Sequence, residues 1–178
     1  RDDLKKWCAE NTKPDGEHYD LYEDGLHVYT TINPRMQLYA EEAVAKQLPE
    51  LQRVLASQKS LRTDAVWKGH ENVLENYMKN TERWRNLKAD GLSDTEIKKT
   101  FKKKVHMKVF AWNTKRERDT VMTPLDSIKY HREMLQTAFM VTDPMSGHVK
   151  AWVGGVDFKN YKYDHVNLKT KRQVGSSI

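Results

Sequence analysis

Cysteine is nearly absent: Cys8 stands alone, so no intrachain disulfide can form and no thiolate metal site can be assembled. Long hydrophobic runs are missing too, since no stretch approaches the roughly 20 apolar residues that span a bilayer. The chain starts at Arg1 without the pattern of a secretory leader. Both ends are therefore expected to be cut from something longer, with any membrane anchor outside this piece. The histidines, at 18, 27, 70, 106, 131, 148 and 165, never take the His-Glu-x-x-His spacing of a zinc helix. No metal and no cofactor are expected.

What is abundant is charge. Charged residues make up 31% of the 178, with a formal net charge of +6, which suits a well-solvated surface or an anionic partner. The densest run, Lys98-Lys99-Thr100-Phe101-Lys102-Lys103-Lys104, interleaves with Ile97, Phe101 and Val105 at helical spacing and reads as the wet face of a helix. Stacking aromatics or a recognisable binding motif beside the charge are not found, so nucleic-acid binding is not expected.

Asp3 to Glu10 reads as the end of a helix, followed by a polar breaker at residues 11–17. Leu26-His27-Val28-Tyr29-Thr30-Thr31-Ile32 alternates and is β-branched, which predicts a strand. Asn33 then suits a helix N-cap with Pro34 in the first helical position, and Met36, Ala40, Ala43, Val44 and Leu48 follow at helical spacing. Pro49 is expected to break or kink that helix. Val73, Tyr77, Thr81, Trp84 and Lys88 predict one longer amphipathic helix ended by Gly91, with Trp84 anchoring a core. Ser93-Asp94-Thr95-Glu96 is a capping box that opens the lysine-rich helix.

Beyond it, residues 105–112 and 120–122 flank a charged turn and predict a β-hairpin, and Thr123-Pro124 starts another helix. Residues 136–142 and 148–153, joined by Asp143-Pro144-Met145-Ser146-Gly147 and ended by Gly154-Gly155, predict a second hairpin. Asp143 is better explained by turn chemistry than as a general acid, and the two glycines by chain turning rather than phosphate binding. Trp67, Trp84, Trp112 and Trp152 are assigned to the core. The fold class predicted is α+β: an early strand and helix, a largely helical insert, and a terminal antiparallel hairpin. That hairpin would leave an edge unpaired, favouring self-association or disorder near the C-terminus.

Four blocks taken in order carry a family resemblance: residues 24–33, Met36-Gln37 with Ala40-Glu41, residues 143–155, and Arg172-Gln173-Val174-Gly175-Ser176. Together they resemble the start of the transpeptidase domain of class A penicillin-binding proteins, specifically over about residues 20–45 and 136–178 and more loosely between. The resemblance implies residues 1–19 as a linker from a preceding glycosyltransferase region and 20–46 as the start of the transpeptidase domain. It makes 47–123 an inserted, mainly helical module with a small hairpin, and 124–178 the first core elements, up to the nucleophile.

Taken alone, the Gly175-Ser176-Ser177 ending reads as a flexible loop. A lysine at position 179 would complete a Ser-x-x-Lys motif, in which the amine one helical turn on takes the hydroxyl proton. By the resemblance, Ser176 is the nucleophile of a peptidoglycan synthase and its backbone N–H part of the oxyanion hole, in the full domain only. Arg172 and Gln173 would position the preceding segment. The implied ligands are stem peptides and β-lactams, and the implied location is the periplasmic face of the bacterial cytoplasmic membrane. The motif lysine, a Ser-x-Asn and a Lys-Thr-Gly or Lys-Ser-Gly triplet are missing, so this chain alone is expected to be inactive. The alternative is that residues 47–123 form a non-catalytic docking or regulatory module for an envelope activator protein. A contiguous exposed apolar patch on the insert would favour that alternative, and fully buried faces would weaken it.

Overall fold

The computed structural model describes residues 2–167 and 169–170. The architecture is α+β, with seven α-helices and two small antiparallel sheets among the described residues. The chain divides into two compact units, Arg1–Thr31 and Ile32–Ile178.

In the first unit, α1 (Asp2–Glu10) carries Asp2 and Asp3 in its first turn, where carboxylates oppose the positive end of the helix. The breaker after it makes a tight turn, with Gly16 at φ +90° and a single bridge between Thr12 and His18. Lys13 and Asp24 pair at 3.3 Å, the Trp7 and Tyr19 rings lie 5.3 Å apart, and Cys8 is buried. The strand expected over 26–32 does not form. These residues lie outside any ladder and Tyr29 is 94% exposed, because alternation supplies a face but not a neighbouring strand to pair with.

In the second unit, α2 (Pro34–Ala56) begins as the sequence predicts: Asn33 accepts from the backbone N–H of Arg35 and Met36, with Pro34 in the first turn. It then runs through Pro49 to Ala56, so the chain does not break there and the helix continues over Leu51, Val54 and Leu55. Proline removes one hydrogen bond to the preceding turn, and the helix is held before it by its packed inner face and after it by the Gln52 side chain, which bonds Glu133 O and Leu135 N. Ala40 and Val44 meet Ala151 and Val153, and Leu48 joins Phe110 and Met134.

After α3 (Lys59–Arg62) and a 3₁₀ turn (Ala65–Trp67), the single helix expected over 73–88 is two: α4 (Glu71–Lys79) and α5 (Glu82–Ala89). Thr81 divides them, its hydroxyl accepting from Trp84 N–H as an N-cap and so starting a new helix inside an unbroken apolar period. The capping box of α6 (Asp94–Phe101) forms in both directions between Ser93 and Glu96. Met78, Trp84, Ile97 and Phe101 make the core of this helical group, flanked by Leu125 and Ile128.

Two hairpins complete the fold. β1 (Val105–Phe110) pairs with β2 (Glu117–Met122) in a regular register, Val105 opposite Met122 and Phe110 opposite Glu117. After α7 (Pro124–Arg132), capped by Thr123, β3 (Phe139–Thr142) pairs with β4 (Val149–Val153) through an irregularity between Val141 and Thr142. β3 begins three residues later than the sequence pattern places it, at Phe139, and just ahead of it the backbone N–H of Leu135 goes to the Gln52 side chain. Of the four tryptophans assigned to the core, Trp84 is buried, Trp67 and Trp112 are half-buried, and Trp152 is exposed on one side.

Candidate functional site

Ser176, with Arg172 and Gln173, lies outside the described residues. The scaffold leading toward it is described as far as Thr170, and its geometry is built around the end of β4. The hairpin turn before β4 is held by Asp143, whose Oδ1 accepts from Met145 N at 2.9 Å and Ser146 N at 3.4 Å, while Gly147 turns the chain at φ +71°. The backbone N–H of Met145, then that of Ser146, holds the Asp143 carboxyl below the usual carboxylate range. An acid kept ionised by backbone donors is a turn residue, as the sequence implies.

The hairpin, expected to leave an edge unpaired, has its β4 edge partly closed by the start of α2. Asn33 N donates to Lys150 O at 2.8 Å. The Gln37 amide then takes both backbone groups of Trp152, accepting from its N–H at 2.8 Å and donating to its C=O at 3.0 Å. One side chain thus completes the pairing that a neighbouring residue of a strand would make. On the other side of the hairpin, β3 still presents Phe139 and Met140 to solvent.

Past β4 the chain turns at Gly154-Gly155 and returns beside itself. His165 N donates to Gly154 O at 2.7 Å. Asp164 then gathers three donors: Trp152 Nε1 at 3.1 Å, Val166 N at 2.9 Å and Asn167 N at 3.2 Å. Its approach to the strand end is so close that a Cβ on Gly154 would lie 2.4 Å from Asp164 Oδ1. Thr170 Oγ1 closes the segment by donating toward Asp164 O and Asn167 O, each at 2.7 Å. The sequence signal for this arrangement was weak: Asp164 opens an Asx turn, but its long-range partners lie behind a turn with no readable period. A cleft of about 380 Å³ beside it is walled by Gln37, Glu41, Arg116, Trp152, Asp157 and Tyr163.

A second cleft, about 740 Å³, lies between the end of α7 and residues 159–165 and is lined by His131, Arg132, Lys159, Lys162 and His165, with no carboxylate among the described lining residues. His131 Nδ1 meets Tyr161 OH at 3.0 Å. Burial, then the nearby Arg132 guanidinium, lowers the His131 pKa, and burial raises that of Tyr161. Among the described residues no cluster of three His, Cys, Asp or Glu side chains is placed to hold a metal ion, and no helix is long and apolar enough to cross a membrane.

Residues 62–135 match the family model of the penicillin-binding protein middle domain. The matched range runs from the end of α3 through α4, α5, α6, the β1–β2 hairpin and α7, and it stops just before β3. No curated protein and no solved structure matches the chain. The family match supports a fragment of a penicillin-binding protein.

Proposed function

We propose that the chain is the front part of a class A penicillin-binding protein's transpeptidase region, with 62–135 as the middle module and Ser176 as the acyl-enzyme nucleophile of the complete domain. The observation that carries this reading is the position of the middle-domain match, which is followed at once by the β3–β4 hairpin and then by Arg172-Gln173-Val174-Gly175-Ser176. In the complete domain Ser176 Oγ attacks the carbonyl of the penultimate D-alanine of a stem peptide. The peptide C–N bond breaks, and the terminal D-alanine leaves as the free amine with the serine's proton. The acyl group then passes to an amine of a neighbouring strand, regenerating the hydroxyl. β-Lactams acylate the same oxygen. Such a protein works in the cell envelope, at the periplasmic face of the cytoplasmic membrane, joined to a glycosyltransferase head.

The docking alternative for 47–123 has less support. Within 47–123 the large apolar side chains exposed among the described residues are Leu51 and Val54, three apart on α2, and Val66 and Val121, which stand far from them and from each other in sequence. The test is fluorescent-penicillin labelling of the full-length protein, wild type against Ser176→Ala. Covalent label on the wild type and none on the alanine variant is expected. Label that persists on the variant places the nucleophile elsewhere, and any residue but lysine at position 179 overturns the Ser-x-x-Lys assignment.

A further inference from the structure

Resting on that reading of Ser176, we propose that Asp164 is a positioning residue for the nucleophile segment, and that Gly154 is glycine so that Asp164 can reach the end of β4. The argument begins with reach. Thr170 is the last described residue before Ser176, six positions further on in sequence, so residues 164–167 and 169–170 are the part of the approach to the serine whose geometry is described. Four ties fix this segment to the strand end and to itself: His165 N to Gly154 O, Trp152 Nε1 to one Asp164 oxygen, Val166 N and Asn167 N to the other, and Thr170 Oγ1 back to Asp164 O. Trp152 is in turn held through its backbone by Gln37 on α2. The carboxylate therefore sits in a chain of contacts running from α2 through β4 to the departing segment.

All three side-chain partners of Asp164 donate, and a carboxylate is acceptor-only, so an amide in its place turns one oxygen into a donor facing a donor. Bonds from N–H groups to a charged acceptor are also roughly twice as strong as neutral ones. Gly154 has an ordinary backbone conformation, so alanine there is allowed by φ; what excludes it is the 2.4 Å approach of Asp164 Oδ1. The two positions thus offer independent ways to disturb one contact: Asp164→Asn alters the acceptor and leaves the glycine, and Gly154→Ala leaves the carboxylate and displaces it. A displacement of about 1 Å in a group that positions a reacting atom lowers rates by up to about a hundredfold.

The experiment measures the second-order rate of acylation by fluorescent penicillin in the full-length protein, together with its melting temperature and the amide exchange of Val166 and Asn167. Asp164→Asn and Gly154→Ala are each expected to slow acylation by about tenfold or more and to speed exchange at Val166 and Asn167, with amide exchange in α4–α6 unchanged. Trp152→Phe, which deletes the indole donor alone, is expected to slow acylation by a smaller factor. Faster exchange with wild-type acylation in both variants overturns the proposal while leaving Ser176 as nucleophile. Acylation that falls only in proportion to a global loss of folded protein also overturns it. If wild type takes no label, or Ser176→Ala takes as much as wild type, the reading of the serine fails first and the proposal falls with it.

Discussion

Glu75 accepts from Lys79 Nζ at 2.9 Å on its own helix and from Lys98 Nζ at 2.6 Å on α6, so one carboxylate ties two helices of the middle module. The hydrogen bond from Lys79, then that from Lys98, lowers its pKa from 4.5 to about 2. Since the folded value lies below the unfolded one, the stabilisation is fully present above about pH 4.5 and is lost as pH falls through the folded value near 2. Glu75→Gln keeps the shape and cannot titrate. Its melting temperature is expected to fall less steeply than that of the wild type between about pH 5 and 2, read from thermal unfolding at a series of pH values. Parallel acid limbs for the two proteins would remove Glu75 from the acid response. The same residue shows how the lysine-rich run works: Lys98 reaches a specific partner, Ile97 and Phe101 turn inward, and the remaining lysines stay in water.

At the scale of elements, α2 carries two glutamines that each clamp a backbone elsewhere in the chain. Gln37 closes the edge of β4, and Gln52 accepts from Leu135 N at 2.7 Å while donating to Glu133 O at 3.1 Å, where α7 gives way to β3. Gln52→Leu fills similar volume and leaves that N–H and C=O without their partner. A loss of about 1–3 kcal/mol is expected from the denaturant midpoint at unchanged slope; a change within about 0.5 kcal/mol would mean that water replaces the amide there. Local signals made most elements readable before the structure. Asn33-Pro34, Ser93 to Glu96, Thr123-Pro124 and Asp143 to Gly147 each satisfy backbone groups within four residues, so their effect is written in neighbouring letters. What failed to read depends on distant partners. The pattern over 26–32 asks for a strand that has no ladder, the helix runs on past Pro49 between the packing of Leu48 and the distant partners of Gln52, and Thr81 divides a continuous period by a hydroxyl cap. The site divides the same way: the Ser176 motif is legible as a string, whereas Asp164 acquires its meaning from Gly154 and Trp152 across a turn.

At the scale of the whole unit 32–178, three small cores are joined by shared helices. Val44 on α2 packs against both the Ala40–Ala151–Val153 core and the Leu48–Phe110–Met134 core. On α7, Leu125 and Ile128 face the helical core of Trp84, Ile97 and Phe101, while Tyr130, two residues past Ile128 and so on the other side of the helix, packs on the Phe110 core and donates from its hydroxyl to Phe110 O at 2.7 Å. The matched range and the β3–β4 hairpin are therefore linked in two steps: α7 joins the helical core to the Phe110 core, and α2, through Val44, joins the Phe110 core to that of Ala151 and Val153. Such sharing makes the two unfold together, because loss of the helical core removes the surface on which α7 rests. Ile97→Ala, at a fully buried position, is expected to cost about 2–5 kcal/mol. If the cores are coupled, that loss reaches β4, and the Ala151 amide exchanges faster by the same factor as the Phe110 amide. The check is native-state hydrogen exchange of wild type and variant under conditions where both remain folded. Acceleration confined to α4, α5 and α6, with Ala151 and Phe110 at their wild-type rates, would show that the module opens alone and that its state is not felt at the hairpin.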